Sequence, residues 1–293
     1  MGELLMRFAR KGAEAPVRYN SELAKKILLT LIMTVMGILF MTPFFWMIST
    51  SMKPEADVFK YPIEWIPKNW NAIENYKEVW TTTKFPLYYW NSIKVTLLTT
   101  FFSVLFAAMS AYAFAKVKFR GRDAVFILVL AIYMVPQQAI LVPQFLLFRW
   151  MGLFDTHLGL VMLGAFSVLG TFMLRQFYMG IHDEFMESAK IDGAGHIRIF
   201  LSICTPLVRP AIATYAILRF IWTWNDYQGP LIFLKTKTLF TIQLGIRSFA
   251  TLNGELYSLI MAGAVSAILP LLIIFIIGQK QVIEGIALGG VKG

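Results

Sequence analysis

The residues best placed to do chemistry lie in one polar stretch between two long apolar runs, Glu184–Ala211. Its first half carries three acids, Glu184, Glu187 and Asp192. Gly193 and Gly195 follow, and Pro206 and Pro210 close the stretch. The pattern predicts a short helix to about Ile191, a turn at Asp192-Gly193 and a second helix entering the next apolar run. Acids suit a helix N-terminus, where the macrodipole favours negative charge. Glycine suits a helix end that needs positive φ. A second candidate is Arg219, a lone charge inside the following apolar run. Neither feature points to catalysis. No G-x-x-x-x-G-K-S/T phosphate loop is present, so the chain is not expected to bind ATP. His157, His182 and His196 fall in different loops without metal-ligand spacing, and no metal or cofactor is expected. No G-x-S-x-G elbow or His–acid pair suggests a nucleophile. What remains is recognition: a rigid polar turn that must meet something other than lipid, and a guanidinium able to pair with carboxylates.

These residues must be positioned by a chain that is 57% hydrophobic and 15% charged, with mean hydropathy +0.63. A soluble domain is about half apolar and about a quarter charged. The balance therefore specifies an integral membrane protein, with all-α architecture. A single cysteine, Cys204, excludes an intrachain disulfide framework. No cleavable signal peptide is expected, because basic residues continue to Lys26 and the first apolar run is too long for one. Six membrane helices are expected, at Ile27–Thr50, Asn91–Ala115, Ala124–Phe148, Leu158–Tyr178, Ile203–Trp224 and Leu256–Gln279.

Residues 1–26 read as a basic arm, and 51–90 as a folded or interfacial cap rich in Pro, Trp and Tyr. Residues 91–279 are the transmembrane core and 280–293 a flexible, Gly-ended tail. Pro136 and Pro143 interrupt the third run around Gln137 and Gln138. Irregular backbone at membrane depth is tolerated only inside protein or beside water. The stretch 136–144 is thus either a break near a solute path or a kink with a re-entrant turn.

The net charge of +10 is better read as topology than as nucleic-acid binding, because Lys and Arg concentrate between the spans. The pieces sharing a side with the termini (1–26, 116–123, 175–209 and 280–293) total 83 residues and hold 16 Lys and Arg. The opposite pieces (51–94, 149–157 and 225–255) total 84 residues and hold 10. Positive-inside counting therefore expects both termini, and Glu184–Ala211 with them, in the cytoplasm.

The run Glu187-Ser188-Ala189, then Asp192-Gly193-Ala194, Phe200, Pro206-Leu207 and Arg209-Pro210-Ala211 resembles the EAA loop of ABC-importer permeases. Two positions depart from that pattern, Ser188 for the usual Ala and Gly195 for a common Ser or Thr. Trp224-Asn225-Asp226, Gly229-Pro230-Leu231 and the closing Gly289-Gly290-Val291-Lys292-Gly293 look like the carbohydrate branch of that family, the MalG-like permeases. The resemblance covers most of the chain from Asn91 onward. It implies a six-span type I ABC-importer permease in a bacterial or archaeal inner membrane. It further implies a second, MalF-like permease, two ATP-binding subunits, an extracytoplasmic solute-binding protein and a sugar or oligosaccharide substrate. Glu184, Glu187, Ser188, Ala189, Asp192, Gly193 and Ala194 would then dock on an ATPase subunit, and Val291 and Lys292 would reach the ATPase interface.

Candidate path residues are Arg219, Trp222, Asn225, Tyr227 and Gln228, with Gln137 and Gln138. Arg219 reads in three ways: a cavity cation for an acidic sugar, a side chain snorkelling to the outer interface, or an ion pair with the partner permease. The aromatic residues equally fit an interfacial belt. Two other function classes stay open at this stage, an ABC permease for a non-sugar solute and an ATPase-independent secondary transporter. The second would more often show intramembrane acids or an inverted repeat.

Overall fold

The computed structural model describes residues 16–251 and 254–290. It is almost entirely helical, with one two-stranded ribbon, β1 (Ala250–Thr251) and β2 (Gly254–Glu255), among the described residues. Three helices are long and apolar enough to cross a membrane unaided: α1 (Pro16–Ser51), α3 (Phe85–Lys116) and α13 (Tyr257–Gly290). A short helix, α2 (Ala72–Lys77), lies between the first two. The other three expected spans are bent pairs, so the total reaches six when each pair counts once.

The bends fall where backbone chemistry requires them. The third run becomes α4 (Arg122–Tyr133) and α5 (Gln137–Trp150), 98° apart. This corrects the expected break at 136–144: Pro136 alone interrupts the helix, and Pro143 is carried inside α5. The fourth run is α6 (His157–Ala165) and α7 (Val168–Met179), bent by 42°. There Ser167 starts a new helix by accepting the Gly170 N–H at its hydroxyl, an N-cap. After α8 (Glu184–Ile191) comes α9 (His196–Leu207), whose middle, Phe200–Cys204, is π-helical. It meets α10 (Arg209–Trp224) at 81°, and two short helices, α11 (Gln228–Phe233) and α12 (Ile242–Arg247), follow. The fifth span therefore starts later than Ile203, because Pro206 and Pro210 withhold amides from a continuous ladder.

Two other limits shift. The second span begins at Phe85, six residues before Asn91, with Pro86 in the first turn, where its missing N–H costs nothing. The last helix continues past Gln279 to Gly290 in place of the expected flexible tail, since Gly285 is the one glycine between Lys280 and Leu288. Val291 and Lys292 lie outside the described residues.

Helix α3 is the hub, packing along α7, α6 and α10, while α13 lies between α10 and α1. Its buried face is small and hydroxylic: Ser103, Ala107, Ala108 and Ala111 let neighbouring backbones come close. The Tyr215 ring fills the space over Gly170, and its hydroxyl shares a 2.7 Å hydrogen bond with Ser103. Between α1 and α3, Lys53 is buried; its Nζ donates to the Glu64 carbonyl and sits 4.4 Å over the Trp46 ring. Glu55 reaches the start of α13 and accepts the Tyr257 and Ser258 N–H groups at 3.0 and 2.8 Å. The segment is thus folded onto the bundle, as its composition predicted.

A Cβ at Gly170 would lie 2.2 Å from Tyr215 Cζ, whereas at Gly180 the nearest atom is 3.4 Å away. Gly170→Ala should therefore cost about 1–3 kcal/mol by overpacking, outweighing the helix-propensity gain of about 1 kcal/mol. Gly180→Ala should be nearly neutral. Thermal unfolding of the purified protein checks both.

Candidate functional site

The Glu184–Leu207 segment is built as a rigid turn on a buried footing. Helix α8 ends in a Schellman motif: Gly193 N–H reaches Lys190 O at 3.0 Å, and Ala194 N–H reaches Ala189 O at 2.9 Å. Gly193 holds φ +79°, a conformation that L side chains avoid. Met186, Ala189, Ile199 and Cys204 are buried beneath, against Tyr112 and Tyr178 of α3 and α7. Glu184, Glu187, Ser188, Asp192 and Gly193 are exposed, and Ala194 is half-buried. Two apolar side chains flank the turn in the open, Ile191 at 87% and Ile197 at 77% exposure. Helix α3 is tied to the start of this segment by Lys116, which donates to Ile181 O and to Asp183 Oδ1 at 2.7 Å. That lysine holds the Asp183 carboxyl below its ordinary pKa, chiefly through the hydrogen bond.

The second feature is a cavity of about 730 Å³ among α3, α5, α10 and the two helix breaks. Met134–Pro136 lines it from one side and Phe166-Ser167 from another, so both interruptions open onto the same space. Arg219 lies on its wall. Its Nη2 donates to Gly164 O at 2.7 Å, one of the carbonyls left free where α6 ends. Gly164 has no side chain to stand in the way: a Cβ there would be 2.2 Å from Nη2 and 2.4 Å from Thr99 Cγ2. Four buried polar atoms without a hydrogen-bond partner belong to residues lining this cavity, Arg219 Nε and the hydroxyls of Thr99, Thr223 and Thr241.

Of the path candidates, the structure brings Arg219, Trp222, Gln228 and Gln137 to the cavity wall. Gln138, Asn225 and Tyr227 do not line it; Asn225 donates back to Ile221 O at 3.0 Å. Sequence reasoning missed Asp226 and the α3 hydroxyls, Ser92, Thr96 and Thr99. Asp226 lies two residues past the end of α10, so helical spacing from Arg219 does not place it. Asp226 accepts the Gly229 N–H at 3.0 Å.

A family profile described as binding-protein-dependent transport system inner membrane component matches residues 103–282, which include the turn segment and helices α4 to α10. The chain belongs to this family. As an ABC-importer permease, it is a membrane subunit of a multi-subunit transport system and not itself an enzyme. It is 33% identical over 270 residues to the arabinooligosaccharides transport system permease protein AraQ of Bacillus subtilis, spanning 92% of this chain and 96% of that one. The melibiose/raffinose/stachyose import permease protein MelC of the same organism is 29% identical, over 91% and 96%. Among solved structures, a bacterial ABC transporter involved in import of the acidic polysaccharide alginate shares the fold. Its TM-score is 0.79 at 23% identity, over 89% of this chain and 97% of that one.

For this permease, the Arg219–Gly164 contact should be measurable as stability. Arg219→Met leaves the carbonyl at the α6–α7 kink without its donor and should cost about 1–3 kcal/mol. Arg219→Lys should recover part of that in the same thermal unfolding assay.

Proposed function

We propose that this permease forms, with a second and related permease chain, the membrane path of an ATP-driven oligosaccharide importer. Two ATP-binding subunits and an extracytoplasmic binding protein complete it. The observation that carries the coupling role is the exposed turn. Ile191 and Ile197 stand out at the turn, over a footing in which Met186, Ala189 and Ile199 are buried. An apolar pair ringed by Glu187, Asp192 and Arg198 on a backbone fixed by a Schellman motif is a docking knob, and its partner is an ATPase subunit. Glu184, Glu187, Ser188, Ala189, Asp192, Gly193 and Ala194 make up the knob and its support. Val291 and Lys292, outside the described residues, are the further candidates for contact with the same subunits. The sugar reading is supported by what the named relatives carry, arabinooligosaccharides for AraQ and melibiose, raffinose and stachyose for MelC. A cavity wall of hydroxyl, amide and indole groups suits such solutes.

In the cycle we infer, ATP-driven closure of the partner subunits moves the knob, and the two permease halves rotate to expose the cavity to alternate sides. Both termini and the knob face the cytoplasm. The transmembrane core starts at Phe85, preceded by the arm and the span-plus-cap, and the tail from Lys280 begins within α13.

Ile191→Asp or Glu187→Lys should lower sugar uptake and binding-protein-stimulated ATP hydrolysis at least tenfold in the inserted, assembled importer, about 1.4 kcal/mol of coupling or more. Unchanged uptake in both variants would sink the docking role. Topology has its own check, because Cys204 is buried and is the sole cysteine. In a Cys204→Ser background, Asp192→Cys should react with an impermeant thiol reagent only from the cytoplasmic side, and Asn71→Cys only from the outside. The reverse pattern would overturn the orientation.

A further inference from the structure

Arg219, Trp222 and Thr223 stand at i, i+3 and i+4, a helical stripe on α10, and Asp226 lies two residues past the helix end; all four line the cavity. The two charges here are not equally available. Arg219 is half-buried, with Nη2 committed to Gly164 O and Nε covered. Asp226 is exposed. The Gly229 N–H donates to its carboxylate, which leaves acceptor capacity for further donors. Neither charge is in an ion pair within 4.0 Å among the described residues. Beside Asp226, Trp222 is 43% exposed and presents the one indole on this wall.

A solute entering here therefore meets an acceptor and an aromatic ring before it meets a cation. Sugar hydroxyls donate to a carboxylate through charge-assisted hydrogen bonds, and the C–H face of a pyranose or furanose covers an indole. A uronate would bring a like charge against Asp226 in a partly desolvated wall, which is unfavourable. We propose that Asp226 and Trp222 are the sugar-contacting groups of this subunit, and that they select an uncharged, hydroxyl-rich ring. Arg219 is a positioning residue that fixes the stripe by holding the α6 end. The proposal rests on the oligosaccharide reading above and adds to it the contacts and the charge class.

The test uses the complete importer with its binding protein in proteoliposomes. The labelled probes are arabinotriose, raffinose and a trigalacturonate. The wild type should import a neutral trisaccharide at least tenfold faster than the trigalacturonate. Asp226→Asn keeps an oxygen for the Gly229 N–H, so the loop should stand. In that variant and in Trp222→Ala, neutral uptake should fall about tenfold while ATP hydrolysis stimulated by sugar-loaded binding protein persists. Unchanged uptake in both variants overturns the contact assignment. Joint loss of uptake and stimulated hydrolysis does so too, by making the pair structural. Faster trigalacturonate uptake overturns the charge class. A wild type that imports none of the three probes removes the oligosaccharide reading itself, and this proposal falls with it.

Discussion

In hydrocarbon a backbone N–H or C=O has no water to turn to, and leaving one unpaired costs several kcal/mol. That constraint governs this molecule. Long helices satisfy it almost throughout, as α1, α3 and α13 do, with Pro43 and Pro270 each withholding one bond. The bent runs satisfy it by opening their interruptions onto a shared polar space or by recruiting side chains. Ser167 caps one new helix start, and the guanidinium of Arg219 covers a carbonyl at the preceding helix end. The cavity is thus a consequence of where the helices break. Gly164 and Gly170 make the solution possible, because the side chains of Arg219 and Tyr215 lie where a Cβ would be.

The same helix serves both functional features. Thr96 and Thr99 stand at the cavity, and Lys116, at the other end of α3, grips the start of the turn segment. At 1.5 Å per residue, Thr99 and Lys116 are about 25 Å apart along one uninterrupted rod. In the proposed cycle, force arriving at the exposed turn enters the bundle through this lysine and through the Tyr112–Tyr178–Phe200 ring cluster. Close packing makes such a link stiff, so a small displacement at one end is carried to the other.

Much of this was legible in the sequence, for physical reasons. Helix existence followed from uninterrupted apolar length, and the turn at Asp192-Gly193 from the need for positive φ. The surface role of Glu187 and Asp192 followed from charge. What was hidden depended on contacts between distant segments. Nothing local distinguishes Pro136, which breaks a helix, from Pro143, which a helix carries. The partner of Arg219 is a backbone carbonyl 55 residues away, invisible to any reading of side-chain types. Asp226 lies past the end of α10, and its neighbours Asn225 and Tyr227 carried equally suitable groups. Only the end of α10 at Trp224 decides which of them turn inward.

Glu55 gives the final helix its first-turn partners across a sequence separation of 202 and 203 residues. A chain made from its N-terminus holds that carboxylate waiting while four further apolar runs enter the bilayer. The opening turn of the last helix can meet its partner only when the chain has been made past Ser258. Completion of biosynthesis is thereby written into the architecture: a product truncated before Tyr257 keeps the cap but has nothing for it to hold.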